Sequence, residues 1–440
     1  MFYRKITSKI EGFLSSDSTR ILLVDGARQI GKTYIIRHLG RKMFPHFVEI
    51  NMEADKVGDR IFAEAKTTKD FYMALSSVAG NKLKGKKDTL VFIDEIQAYD
   101  HLLTLLKFLR DDDRYTYIAS GSQLGVALKR TSSIPLGSIH IERMYPMDFE
   151  EFLMANGVGA MAIDAMRESF ARRESLSDAM HNKVMSLFRH YLIVGGMPAA
   201  VDAFVSTQNI TKVRNIQSEI RELYGIDASR YEADNGKRLK IRRIYDMIPS
   251  SLENKKKRIV ARDIEDKNWK RMDSYQDEFD YLIASGITLE VSAISNPKYP
   301  LVESVGKNLL KLYINDVGIL SGIFYKNNTQ PLLQDVKSIN LGSIYETVVA
   351  QELKAHGHKL FYYDNKKNGE VDFLIDDADT LSVLPVEVKS GKDYSIHSAL
   401  NKFLSIEEYN IHHGIVLSSE RTVRTTDGKL YLPIYDVMFI

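Results

Sequence analysis

The sequence predicts an α/β fold built on a parallel sheet, and three observations predict it. The apolar run Ile21-Leu22-Leu23-Val24 leads straight into GARQIGKT, Gly26 to Thr33, a strand–loop–helix signature. A second run, Leu90-Val91-Phe92-Ile93, is hydrophobic at every position, as a strand covered on both faces must be, and it ends in Asp94-Glu95. Through residues 21–150 such short runs alternate with amphipathic helical stretches.

Taken in order, residues 1–20 read as a basic lead-in helix. GARQIGKT then fills every fixed position of G-x-x-x-x-G-K-[ST]. Gly26 and Gly31 let the backbone turn tightly and approach phosphate oxygens. The loop amides of Ala27, Arg28, Gln29 and Ile30 form an anion nest, and the helix starting near Lys32 adds the positive end of its dipole. Lys32 reaches the β- and γ-phosphates and Thr33 offers a hydroxyl to Mg²⁺, with Tyr34 next in the helix. ATP and Mg²⁺ are therefore the expected cofactors. Asp94 ends its strand where open α/β sheets bind ligands, so its carboxylate is the second expected Mg²⁺ ligand. Glu95 is placed to orient the attacking water. The strand Tyr115–Ala119 ends in Ser120-Gly121-Ser122-Gln123, where Ser120 or Ser122 contacts the γ-phosphate or the water; Ser122 completes the expected nucleotide site. The stretch DHLLTLLKFLR, Asp100 to Arg110, is helical, with Leu102, Leu103, Leu106 and Leu109 on one face.

From Glu150 to about Asn235 strand signals fade and FEEFLMA, SLFRHYLIV and NIQSEIRELYG read as lid helices. VGGMP interrupts them: Gly195 and Gly196 end one helix and Pro198 opens the next. Residues 236–272 carry 13 Lys and Arg against five Asp and Glu, a local balance of +8. With the apolar segment near Tyr281-Leu282-Ile283 they suggest a winged-helix-like module that contacts DNA. The other reading of this cluster is a solvated face, or one docked on acidic groups of the same chain. Trp269 is the only tryptophan, so no aromatic interleaving favours single strands.

These motifs bring a resemblance into view. GARQIGKT, LVFIDEIQ, ASGSQLG, YPMDFEEF (Tyr145–Phe152), VGGMP, LYINDVGIL (Leu312–Leu320) and EVDFLID…LPVEVKSG together resemble P-loop ATPases of the AAA superfamily whose C-terminal part is a domain of unknown function. Relatives often carry Gly-Arg before the PMDF-like segment; here Gly137-Ser138 stands there. The arginine that touches the γ-phosphate is thus left open among Arg143, Arg110 and Arg114.

The C-terminal part holds a second constellation. Glu370–Ile375 alternates, so Val371, Phe373 and Ile375 point one way and Asp372 the other. In Val386-Glu387-Val388-Lys389 the charged pair shares one face. If these strands are neighbours, Asp372, Glu387 and Lys389 meet, and Glu346 on the upstream helical segment GSIYETVVAQELKAHG leans toward them. Asp372 and Glu387 suit Mg²⁺ or Mn²⁺, and Lys389 suits orienting a water or stabilising a transition state. The set resembles the PD-(D/E)XK, or restriction-endonuclease-like, fold, which implies that Glu346, Asp372, Glu387 and Lys389 are catalytic. His356, His358, His397, His412 and His413 show no ligand spacing.

Four domains are expected: residues 1–150, an AAA-type core; 151–235, a helical lid; 236–305, the winged-helix-like module; 306–440, the nuclease-like domain. The net charge of +2 rules out a polycation, and zero Cys rules out disulfides and thiolate metal sites. No apolar stretch approaches a transmembrane span and the N-terminus is no secretory signal, so a cytoplasmic protein with no membrane partner is expected. Two functions compete: an ATPase acting on DNA with a nuclease-like domain, or an ATP-dependent signalling switch or scaffold whose nuclease-like domain binds a partner without cutting. A homo-oligomer fits either.

Overall fold

The computed structural model describes residues 1–122, 124–125, 127, 137–230, 234–254, 257–259, 261–265, 272–305, 309–326, 328–334, 340–390 and 398–440. The chain divides into two compact units: one holds residues 3–145 with 284–286, the other 146–283 with 287–440.

Unit 1 is a parallel sheet wrapped in helices. Its strands are β1 (Ile21–Asp25), β2 (His46–Asn51), β3 (Thr89–Asp94), β4 (Thr116–Gly121) and β5 (Ile139–Arg143), in the order β2-β3-β4-β1-β5, every pair parallel. β1 and β3 are buried along their whole length, which is why their sequences lack alternation. Helices Lys5–Leu14, Lys32–Met43, Thr68–Ala79 and Asp100–Asp112 cover the sheet. The expected leucine face is buried: Leu102, Leu103, Leu106 and Leu109 are each at most 1% exposed and join a core with Ile93, Phe71 and Tyr117.

Unit 2 starts with helices Phe149–Ala155, Ala160–Arg172, Asp178–Val194, Pro198–Thr207, Ile210–Arg230 and Asn235–Glu253. The MDFEEF segment starts the first of them because Asp148 and Glu151 form a reciprocal cap: Asp148 Oδ1 accepts from Glu151 N at 2.9 Å and Glu151 Oε2 from Asp148 N at 3.2 Å. That helix spans the boundary expected at 150/151.

The described strands of unit 2 form one mixed sheet: β6 (Thr288–Ile294), β7 (Leu310–Ile314), β8 (Phe361–Asn365), β9 (Gly369–Asp377), β10 (Ser382–Val388), β11 (Gly414–Ser418), β12 (Arg424–Thr426) and β13 (Lys429–Pro433), ordered β12-β13-β11-β10-β9-β8-β6-β7. The stretch expected as a separate winged-helix-like module supplies β6, which lies parallel to β8 and antiparallel to β7, so the boundary expected at 305/306 runs through a single sheet. The reason is local: β6 is largely buried, and buried backbone N–H and C=O groups must find a ladder on either side. Among the described residues no helix is long and apolar enough to cross a membrane.

Candidate functional sites

The phosphate loop leaves β1 with Gly26 at φ +152°, Gln29 at +65° and Gly31 at +94°. A Cβ on Gly26 would overlap the Met144 carbonyl oxygen, so glycine is required there. Lys32 is buried at the start of the helix Lys32–Met43, and its Nζ donates to the carbonyls of Gly26 and Ala27, each at 2.7 Å. Burial pushes the Lys32 ammonium down; Glu95, Asp25 and Asp94 oppose that. Ala27 and Ile30 are buried, and Arg4 in the lead-in segment donates to the Ile30 carbonyl at 2.9 Å, fixing the loop from below. Tyr34 is 58% exposed.

Asp94 ends β3 as expected and collects donors. Thr33 Oγ1 lies 3.1 Å from Oδ2, Asn51 Nδ2 donates to Oδ2 at 3.1 Å and Ser120 Oγ to Oδ1 at 2.5 Å. Glu95 follows in left-handed backbone, φ +52°, a strained conformation for a non-glycine residue. Its carboxylate accepts from Gln97 Nε2, which also reaches Ser122 Oγ at 3.4 Å, and Arg28 Nε donates to Ser122 Oγ at 3.3 Å. The two serines thus separate: Ser120 serves Asp94, Ser122 serves Arg28 and Gln97. Gln123 lies outside the described residues. Arg143 is 3.9 Å from Asp25 at the end of β1, Arg110 pairs with Asp111, and Arg114 stacks 4.3 Å over Tyr72. Sequence reasoning missed Arg4, Asn51 and Gln97; only Asn51, the polar terminus of HFVEIN, carried a local signal. The Thr33 hydroxyl and the Asp94 carboxylate are adjacent hard oxygen donors, so the residues fit Mg²⁺.

The second constellation also gathers. β9 and β10 are antiparallel neighbours with Val386 opposite Phe373, which brings Glu387 beside Asp372. Val388 N donates to Asp372 Oδ2 at 2.8 Å, and Lys389 Nζ to Glu387 Oε1 at 2.8 Å. Glu346, buried on the helix Gly342–Ala355, accepts from the Tyr313 hydroxyl at 2.9 Å and from Lys257. Burial, then Glu387 and Glu346, hold the Asp372 carboxyl well above its ordinary range. Burial also raises Glu387. Glu387 Oε2 is buried without a hydrogen-bond partner, an orphan that fits a cation beside Asp372 and Glu387. Among the described residues no group of three or more His, Asp or Glu is arranged to hold a metal.

The basic stretch is largely paired within the chain. Lys237 pairs with Asp277, Lys240 with Glu265, Arg242 with Asp246, Lys257 with Glu346, and Arg258 with Asp364 and Glu370. Lys255, Lys256, Lys267, Trp269, Lys270 and Arg271 lie outside the described residues, as does His397.

Comparison with known proteins bears on this geometry. The family described as "AAA domain" matches residues 18–153. The five strands of the parallel sheet and the phosphate loop of unit 1 all lie within that matched stretch. Two domains of unknown function match beyond it, DUF8612 over residues 185–330 and DUF4143 over residues 341–437. No curated protein matches the chain. Among solved structures, the Walker-type ATPase PABY2304 of Pyrococcus abyssi is 13% identical, with 76% of this chain and 96% of that one covered and a TM-score of 0.44. The Thermotoga maritima RuvB Holliday junction branch migration motor is 14% identical, with 65% and 89% covered and a TM-score of 0.30. Cdc6p from Pyrobaculum aerophilum is 12% identical, with 75% and 92% covered and a TM-score of 0.28.

Proposed function

We propose that this chain is an ATP-dependent switch whose nuclease-like C-terminal part binds a partner without cutting. The observation that carries the ATPase half is the convergence of Thr33, Asn51 and Ser120 on Asp94 beside the buried Lys32. Lys32 and the loop amides hold the β- and γ-phosphates. Thr33 and Asp94 hold Mg²⁺, which when bound neutralises charge that builds on the phosphates. Glu95 takes the proton of the attacking water, and Gln97 holds its carboxylate in place. Ser122 links Arg28 of the loop to Gln97, the partner of Glu95. ATP turnover of the full chain tests this: Lys32→Ala should lower it by about 100-fold or more. Equal turnover in the two proteins would refute the site.

The choice of switch over DNA cleavage is supported by one further observation. Of the seven basic residues of 236–272 with described side chains, five pair with carboxylates of the same chain, so their charge is already balanced. The rival reading, an ATPase that acts on DNA through residues 236–272 and cuts at Glu346, Asp372, Glu387 and Lys389, predicts plasmid nicking with Mg²⁺ or Mn²⁺. Nicking abolished by Asp372→Ala and by Lys389→Ala would establish it and overturn the switch.

A further inference from the structure

The carboxylate cluster of unit 2 carries its own cation. Glu346 is buried; one of its oxygens accepts from the Tyr313 hydroxyl and the other faces the ammonium of Lys257. Lys257 follows the helix Asn235–Glu253 in left-handed backbone, φ +48°, held by its N–H bonding to the Asn254 carbonyl at 3.0 Å. Its side chain is 21% exposed, so most of the stem is packed and the head is turned inward. Burial alone would push this ammonium down, yet Glu346, Asp372 and Glu370 together raise it, so it stays charged. Burial likewise works against the Glu346 carboxylate, and Lys257 and then Lys311 outweigh it.

The remaining donors are nearly spent. Asp372 gives one oxygen to the Val388 N–H, and Glu387 gives one to Lys389. Lys311, its side chain 0% exposed, neutralises Glu370 at 2.6 Å. Glu387 Oε2 is left to meet a cation. A divalent ion there would have two carboxylates where hard cations want several oxygens, and an ammonium on the third carboxylate would repel it in a low-dielectric site.

We propose that Lys257 is a built-in competitor of the divalent cation: it takes Glu346 out of the donor set and leaves Asp372 and Glu387 holding metal only weakly. This rests on the reading that the C-terminal part does not cut, and it names the residue responsible. The experiment involves neither ATP turnover nor DNA, so its failure is separable from the failure of that reading.

Mn²⁺ binding to the nucleotide-free full chain is followed by electron paramagnetic resonance. Lys257→Met should bind one Mn²⁺ at least about tenfold more tightly than wild type. The double variant Lys257→Met/Asp372→Asn should lose that gain, while any Mn²⁺ near Asp94 contributes equally to all three proteins. Equal binding by wild type and Lys257→Met, or a gain that survives in the double variant, overturns the proposal. A second measurement needs only wild type. An amine-acylating reagent, read by peptide mass spectrometry, should modify Lys257 at least about tenfold more slowly than the exposed Lys359, and saturating Mn²⁺ should speed it, since a competitor displaced from Glu346 is freed. A Lys257 rate equal to that of Lys359, or one unmoved by Mn²⁺, overturns it.

Discussion

Asp94 shows how one carboxylate organises a site from four separate chain segments. Thr33, Asn51 and Ser120 come from the loop–helix junction, β2 and β4, and all donate to it. Glu95 then leaves the strand at φ +52° and meets Gln97. The roles are separable: Glu95→Gln should keep ATP binding by calorimetry and lower turnover by about 100-fold or more. A variant that turns over normally would remove Glu95 as the base. A second residue-scale prediction concerns pH. Burial raises the Asp436 carboxyl from 3.8 to about 7. The native state then binds the proton more tightly than the unfolded chain, so the stabilisation is complete below the unfolded value of 3.8 and is lost as pH climbs through about 7. Asp436→Asn should therefore melt higher than wild type above about pH 7, with the gap closing toward pH 4, in scanning fluorimetry at a series of pH values.

At the scale of elements, the strands that were easiest to read are the ones buried on both faces. Phe92 is 0% exposed at the centre of β3, and Phe92→Ala should cost about 3–5 kcal/mol in denaturant unfolding of unit 1. VGGMP is a packing device. Gly195 ends the helix Asp178–Val194 at φ +71°, and Pro198 starts the next. Between them a Cβ on Gly196 would overlap the Met147 backbone, whose N–H bonds the Gly196 carbonyl at 2.7 Å, and Gly196 N donates to Asp316 Oδ2 at 2.6 Å. Because backbone cannot yield as a side chain does, Gly196→Ala should cost about 2–3 kcal/mol, read as a lower denaturation midpoint. The β9–β10 pairing was also legible, since alternation in both segments put their charges on one face. The membership of β6 and β7 in that sheet was not legible. Strand pairing across such a separation leaves no local mark in either segment, and the basic run before β6 drew the reading toward an independent module.

Across the whole molecule, composition said little about partners because pairing decides how much charge is available. The chain is +2 overall and residues 236–272 are +8, yet most of the described cations there face carboxylates of the same unit. Duplex DNA titrated across a salt series should accordingly show no steep loss of affinity with salt. A slope equivalent to several released counterions would restore DNA as the partner. The sequence by itself determined the phosphate loop, the acidic strand end and the alternation of β9 and β10, because each is written in residues that are neighbours along the chain. Only the tertiary structure decided that Arg4 braces the loop, that Asn51 and Ser120 share Asp94, and that Lys257 sits on Glu346. Those contacts join residues 26 to 89 positions apart, and a buried charge is matched by whichever partner the fold delivers, whatever its distance in sequence.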